Sequence, residues 1–171
     1  MPNKAKAASR RKMEHSVLRI EKAVLDAVVA HAGKEIAIEA CGYLADMDGV
    51  VRKHYELTNI DRSPRHFSMA PEEQFAAVKD MRKHGLRIRA VYHSHPENPA
   101  IPSLEDIRLA YDPDISYVII SMLAGEDEPV RSFRISQGDV RQEPIKIIAT
   151  GPHTPIAEED YASSPSSKYC T

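Results

Sequence analysis

The stretch YHSHPENPAIPSLED (92–106) holds two histidines two residues apart, then a proline-rich loop, a serine, and an aspartate three residues after it. Imidazole nitrogens and a carboxylate oxygen are ligands for zinc, and in a strand residues two apart share a face. His93 and His95 would then point to one side near a strand end, with Asp106 in the first turn of a helix started by Ser103. Such a set leaves a fourth tetrahedral position for water, the pattern of a catalytic site rather than a structural one. The same residues admit a plainer reading. Serine at an N-cap with an acidic residue three on approaches a capping box and stabilises a helix with no metal, and two exposed histidines on a strand cost nothing. That reading leaves unexplained why both features meet across one proline-stiffened loop.

An activated water also needs a base. Glu35, Glu39, Glu97 and Glu105 are the candidates in the sequence. Glu39 stands directly before an apolar, strand-like run, where partial desolvation would make a carboxylate basic enough to take a proton. Its alternative is a solvated glutamate at a helix end. Glu105 adjoins Asp106 but points elsewhere on a helix.

The surrounding pattern supplies the elements. A short strand is expected at 16–20, then a helix over 21–33 with Val24, Leu25, Val28 and Val29 on one face and Gly33 as its stop. An apolar strand around Gly42, Tyr43 and Leu44 turns at Asp48-Gly49 into a second strand over 50–59. The polar segment 61–69 reads as a loop. Pro71, Glu72 and Glu73 open a helix that ends in Lys83, His84 and Gly85. Strand 86–95 carries the histidines and 103–111 is a short helix. Strands at 115–123, 130–137 and 140–148 close the chain. This order predicts an α/β (α+β) fold, one mixed β-sheet flanked by helices.

Charge narrows the function. With 23 basic against 25 acidic residues, no broad nucleic-acid or membrane surface is expected. Lys4, Lys6, Arg10, Arg11 and Lys12 form a basic cluster in 1–15, read as a tail, and 151–171 reads as a second tail around a domain at 16–150. No apolar run approaches the ~18 residues of a membrane span. Cys41 and Cys170 make no disulfide framework, which points to a reducing cytoplasm. Cys41 reads as a buried strand residue, with a regulatory thiol as its alternative. Cys170 could also reach a metal as an inhibitory thiolate.

Glu39 in EACGYLAD, His93-Ser94-His95-Pro96, seven residues between His95 and Ser103, and Asp106 together resemble the JAMM/MPN (Mov34/PAD-1-like) zinc metalloprotease signature. LTNIDRSPRHFSM (57–69) and ISYVIISM (115–122) are similar to that family too, so the likeness runs from Ser16 to Ile148. The resemblance implies a fold related to cytidine deaminases, with Zn²⁺ on His93, His95 and Asp106. It implies Glu39 as general acid/base and Ser103 as the residue that steadies the oxyanion or the water. The short connections look like the small stand-alone prokaryotic branch. That branch implies hydrolysis of a peptide or isopeptide bond after the C-terminal Gly-Gly of a ubiquitin-like or sulfur-carrier protein. Family members often form homodimers, though no apolar exposed helix face in the sequence marks such an interface.

Four rival readings remain open. A metal-free scaffold or protein-interaction domain of the same fold would have lost ligands that this chain keeps. A barrel metallohydrolase wants roughly 250 residues and further histidines, and only His153 follows Asp106. A zinc deaminase wants H-x-E and PCxxC, both missing from the sequence. A nucleic-acid module would rest on the basic tail alone.

Overall fold

A computed structural model describes residues 16–149. The basic cluster, Cys170, His153 and the two expected tails lie outside the described residues. The chain runs β1 (Leu18–Glu21), α1 (Lys22–Lys34), β2 (Cys41–Met47), β3 (Val50–Leu57), α2 (Pro71–Lys83), β4 (Arg87–His95), α3 (Leu104–Leu109), β5 (Ser116–Ser121), β6 (Val130–Ser136), β7 (Asp139–Glu143) and β8 (Ile145–Ile148).

All eight strands form one mixed sheet, ordered β7-β6-β5-β4-β2-β3-β1-β8. β1 is parallel to β3 and β8, and β4 is parallel to β5; the other neighbours are antiparallel. The expected mixed sheet is therefore present, and β4 lies near its middle with a partner on each side. The Asp48-Gly49 turn takes positive φ at both residues, 54° and 78°, as a tight hairpin with the strand twist requires.

Helices cover both faces. Val24, Val28 and Ala32 of α1 pack on Leu18, Ile20, Leu44, Val51, Tyr92, Val118 and Ile120. On the other face Ala77 and Met81 of α2 cover Tyr43, Ala45, Tyr55 and Leu57. Ile107 of α3 packs with Ala100, Ile119, Phe133 and Ile135 beside them. The α1 face differs in two details from the expectation. Val29 is exposed while His31 is buried, and Gly33 sits inside the last turn rather than ending the helix.

Gly42 has a steric reason. A Cβ there would stand 2.0 Å from the Tyr55 carbonyl oxygen and 2.7 Å from the Tyr92 ring, so only glycine lets β2 lie against Tyr92. That contact holds β2 tight to the strand carrying the histidines.

The segment 140–148, expected as one strand, is two. Pro144 has no N–H to give a ladder, and its carbonyl instead accepts from Leu18 N–H at 2.9 Å. β7 and β8 flank that single residue yet occupy opposite ends of the strand order, so the sheet curls until its two edges meet there. Glu143, buried at this seam, accepts from Arg89, Ser116 and Ser132. The seam lies at the opposite end of β4 from the histidines, which leaves the other end free to be a site.

Candidate active site

Alternation along β4 sends His93 and His95 to one side of its C-terminal end, where both are buried. Their Nε2 atoms are 3.0 Å apart. From α3, Asp106 puts Oδ1 3.3 Å from His93 Nε2 and Oδ2 3.5 Å from His95 Nε2. Two atoms held 2.0–2.1 Å from one tetrahedral ion stand about 3.3 Å apart, close to both separations at His93 Nε2, and one atom from each of the three residues lies within 4.8 Å of the others. Among the described residues, this His-His-Asp group is the cluster suited to a metal ion.

The cap and the cluster coexist. Ser103 Oγ accepts from Asp106 N–H at 3.1 Å, and Asp106 Oδ2 accepts from Ser103 N–H at 2.7 Å, a complete capping box. The box locks the Asp106 side chain so that its carboxylate leans toward β4. Ser103 Oγ is itself engaged as an acceptor, but its O–H proton stays available to donate. Capping therefore does not turn Asp106 away from the histidines.

Further contacts fix the imidazoles. His95 Nδ1 lies 2.8 Å from the Pro99 carbonyl, which can only accept. Nδ1 thus carries a proton, and Nε2 is the nitrogen turned toward Asp106. Phe67 stacks on His93 with centroids 4.8 Å apart. Burial pushes the His93 pKa down against the pull of Asp106, which favours the neutral ring that binds metals. His95 goes up, because Asp106, the Pro99 carbonyl and Glu39 together outweigh its burial. Burial alone would raise Asp106, but hydrogen bonds from His93, His95 and Ser103 hold it well below the usual carboxylate range.

Glu39 ends the turn between α1 and β2. Its N–H donates to Ser63 O at 2.8 Å, and the next residue, Ala40, is stapled to Ser94 between the two histidines. The residue is 3% exposed, with Oε1 3.9 Å from His95 Nε2 and Oε2 without a hydrogen-bond partner. Burial raises its pKa to about 7, with Asp106 and Glu105 adding to the rise and His95 opposing it. Of the other candidate bases, Glu35 and Glu97 are exposed, and Glu105 pairs with Arg108. Cys41, opposite His93 in the β2–β4 register, donates to Leu57 O at 3.4 Å, and burial lifts its thiol to about 12, which fits the strand-cysteine reading.

Sequence reasoning missed Asn59 and Phe67. Buried Asn59 donates from Nδ2 to the carbonyls of Glu39 (3.0 Å), His66 (3.1 Å) and Ser63 (3.4 Å). Its Oδ1 accepts from Asp61 and Ser68 N–H. It therefore ties the Glu39 backbone to the 60–69 loop that lays Phe67 on His93. The signal was available: a polar segment too long for a simple turn, opened by an asparagine able to organise it. An apolar groove of about 340 Å³ reaches His93 and Asp106, walled by Tyr43, Phe67, Val91, Leu109 and Tyr111.

The family described as prokaryotic homologs of the JAB domain matches residues 21–136. A protein named CysO-cysteine peptidase from Mycobacterium tuberculosis is 36% identical over 134 residues, 77% of this chain and 92% of that protein. A probable TtuB-protein conjugate cleaving protease from Thermus thermophilus is 33% identical over 123 residues, 71% of this chain and 78% of that one. The solution structure of protein DSY2949 from Desulfitobacterium hafniense superposes with a TM-score of 0.69 at 42% identity, covering 79% of this chain and 94% of that one. The chain belongs to the prokaryotic JAB-domain family, the small prokaryotic branch of the JAMM/MPN proteins.

Proposed function

We propose that this protein is a zinc-dependent peptidase that hydrolyses the bond after the C-terminal Gly-Gly of a ubiquitin-like or sulfur-carrier protein. The observation that carries the reading is the meeting of His93, His95 and Asp106 with a buried Glu39 whose Oε2 has no partner. The names of the M. tuberculosis and T. thermophilus relatives, a CysO-cysteine peptidase and a TtuB-conjugate protease, support that substrate class.

His93, His95 and Asp106 would hold the ion. Zinc in such a set lowers the pKa of a bound water and polarises a carbonyl. The chain's own residues do the rest. Glu39 accepts the water proton on a carboxylate whose burial makes it basic, then returns it to the departing nitrogen. Ser103 directs its remaining O–H at the oxygen where negative charge grows, a donor worth roughly 3 kcal/mol in the transition state. The Pro99 carbonyl keeps His95 in the tautomer with Nε2 free. Phe67 shields His93 from water, and the groove beside it receives the acyl chain of the substrate. The buried free thiol of Cys41 accords with a reducing cytoplasm.

Glu39→Gln tests the assignment. It keeps the shape and removes the base, so turnover of a Gly-Gly-extended carrier should fall by about 10²–10⁴ while zinc content stays at the wild-type level. Unchanged turnover would remove Glu39 from the mechanism.

A further inference from the structure

The apolar groove has the sheet for its floor. Val91 lies two residues before His93 on the same face of β4, with Tyr43 opposite it on β2 and Tyr117 opposite it on β5, and all three line the groove. Phe67 of the 60–69 loop and Gln74 of α2 stand on one side, and Leu109 of α3 stands on the other. The groove therefore runs along β4, away from the His-His-Asp cluster.

Gln74 is half-buried and brings an amide to this apolar lining. Its Oε1 accepts from Tyr43 O–H at 2.7 Å, and its Nε2 donates to Met69 O at 2.9 Å. A backbone carbonyl can only accept, so the nitrogen end must face Met69, and the amide's orientation is settled. One N–H and one lone pair of that amide are taken up by none of the described residues. Other neutral hydroxyls of the groove are committed or exposed. Tyr43 gives its proton to Gln74, the Tyr117 hydroxyl donates to Asp112 O and accepts from Asp112 N–H, and Tyr111 is exposed. A peptide lying in the groove carries an N–H and a C=O at every residue, which apolar walls leave unbonded at a cost. In an extended chain the N–H and C=O of one residue point to the same side, so a fixed amide can answer both.

We infer that Gln74 binds the backbone of the carrier tail at the penultimate glycine, Oε1 accepting its N–H and the spare Nε2 proton going to its carbonyl. The inference rests on the hydrolase reading and adds a specificity-determining residue to it. The register follows from spacing. Two residues along β4, about 6.6–6.8 Å, separate the level of Val91, Tyr43 and Gln74 from that of His93. An extended chain advances about 3.3–3.6 Å per residue. With the terminal glycine carbonyl at the cluster, the N–H of the penultimate glycine reaches the level of Gln74. A proline in that place would have no N–H to offer.

The test uses a ubiquitin-fold carrier protein ending in Gly-Gly and extended by one alanine, with alanine release as the signal. It is made in three forms: all-amide, with glycolate for the penultimate glycine, and with glycolate for the terminal glycine. Each glycolate puts an ester oxygen where an N–H stood, at nearly the same shape. Zinc-loaded wild type should cleave the all-amide chain with about tenfold higher kcat/KM than the penultimate ester, the ratio expected when one hydrogen bond is lost and its acceptor is left unpaired. The difference should lie in KM, since Gln74 is away from the reacting atoms. Gln74→Met and Gln74→Leu keep bulk without the amide and should bring the ratio near one. General damage to the groove would slow both chains alike and leave the ratio intact. Phe75→Ala, next on α2 but outside the groove, should keep the full ratio, and the terminal ester should show a ratio that Gln74 does not control. A wild-type ratio near one, or a ratio that survives in Gln74→Met or Gln74→Leu, overturns the assignment. Release of alanine from none of the three forms would instead remove the hydrolase reading, and the role of Gln74 with it.

Discussion

Replacing Asn59 with alanine separates positioning from ligation, because its bonds reach Glu39 and the 60–69 loop but none of the metal-cluster side chains. The substitution removes five hydrogen bonds. Asp61 and Ser68 are exposed, so water replaces Asn59 at their N–H groups at small cost. The Glu39 carbonyl is buried and loses its partner, a penalty of about 1–3 kcal/mol. Adding the weaker losses gives roughly 2–4 kcal/mol, or a drop in Tm of about 5–15 °C for a chain of this size. Well below the new Tm the variant remains folded, but Glu39 and Phe67 are no longer held. A misplacement of about 1 Å can cost roughly 10²-fold, so kcat should fall about 10–100-fold with KM much less changed. Metal content should stay at the wild-type level, since His93, His95 and Asp106 are set by β4 and α3. Steady-state kinetics beside metal analysis reads both. Wild-type kcat in the folded variant, or a loss of metal that explains the loss of rate, would refute the positioning argument.

Two further predictions concern stability away from the site. Glu143→Ala strands Arg89 at the sheet seam without its buried counter-charge and should cost about 3–5 kcal/mol in urea unfolding; a loss under 1 kcal/mol would mean the seam does not depend on that carboxylate. Asp80 accepts from Lys53 at 2.8 Å and Tyr55 at 2.7 Å; burial alone would raise its pKa, but those bonds with the Lys53 and His84 charges lower it. A lowered carboxylate stabilises fully above its unfolded value of about 3.9 and loses that contribution as pH falls through the folded one. The stability gap between wild type and Asp80→Asn should therefore shrink as pH drops from about 5 toward 2, and a constant gap would contradict the assignment.

The candidate centre was legible because its parts are local. Strand alternation puts His93 and His95 together, and the cap that orients Asp106 lies one short loop away, so composition and spacing carry most of the geometry. What spacing left open was whether Ser103 and Asp106 form a cap or a site. Asp106 Oδ2 takes the Ser103 N–H while the same carboxylate lies within reach of both histidines, a geometry compatible with either. Long-range features were harder. Nothing periodic marks Asn59, whose partners are spread between residues 39 and 68. The seam at Pro144 was missed because the proline marks a break in 140–148, whereas nothing in Ile145–Ile148 tells whether that piece pairs with β6 or β1. Arg62 carries no sequence signal for its left-handed backbone, since glycine and asparagine are the residues that announce one.

Zinc per chain, measured on untagged protein for wild type, Asp106→Ala and Ser103→Ala, tests the central claim most directly. Both substitutions break the capping box and should lower stability by about 1 kcal/mol, but only one removes a ligand. The account predicts about one zinc in the wild type, the same in Ser103→Ala, and strong loss in Asp106→Ala. No zinc in reconstituted wild type, or equal zinc in all three proteins, would contradict it and leave Asp106 as a helix cap alone.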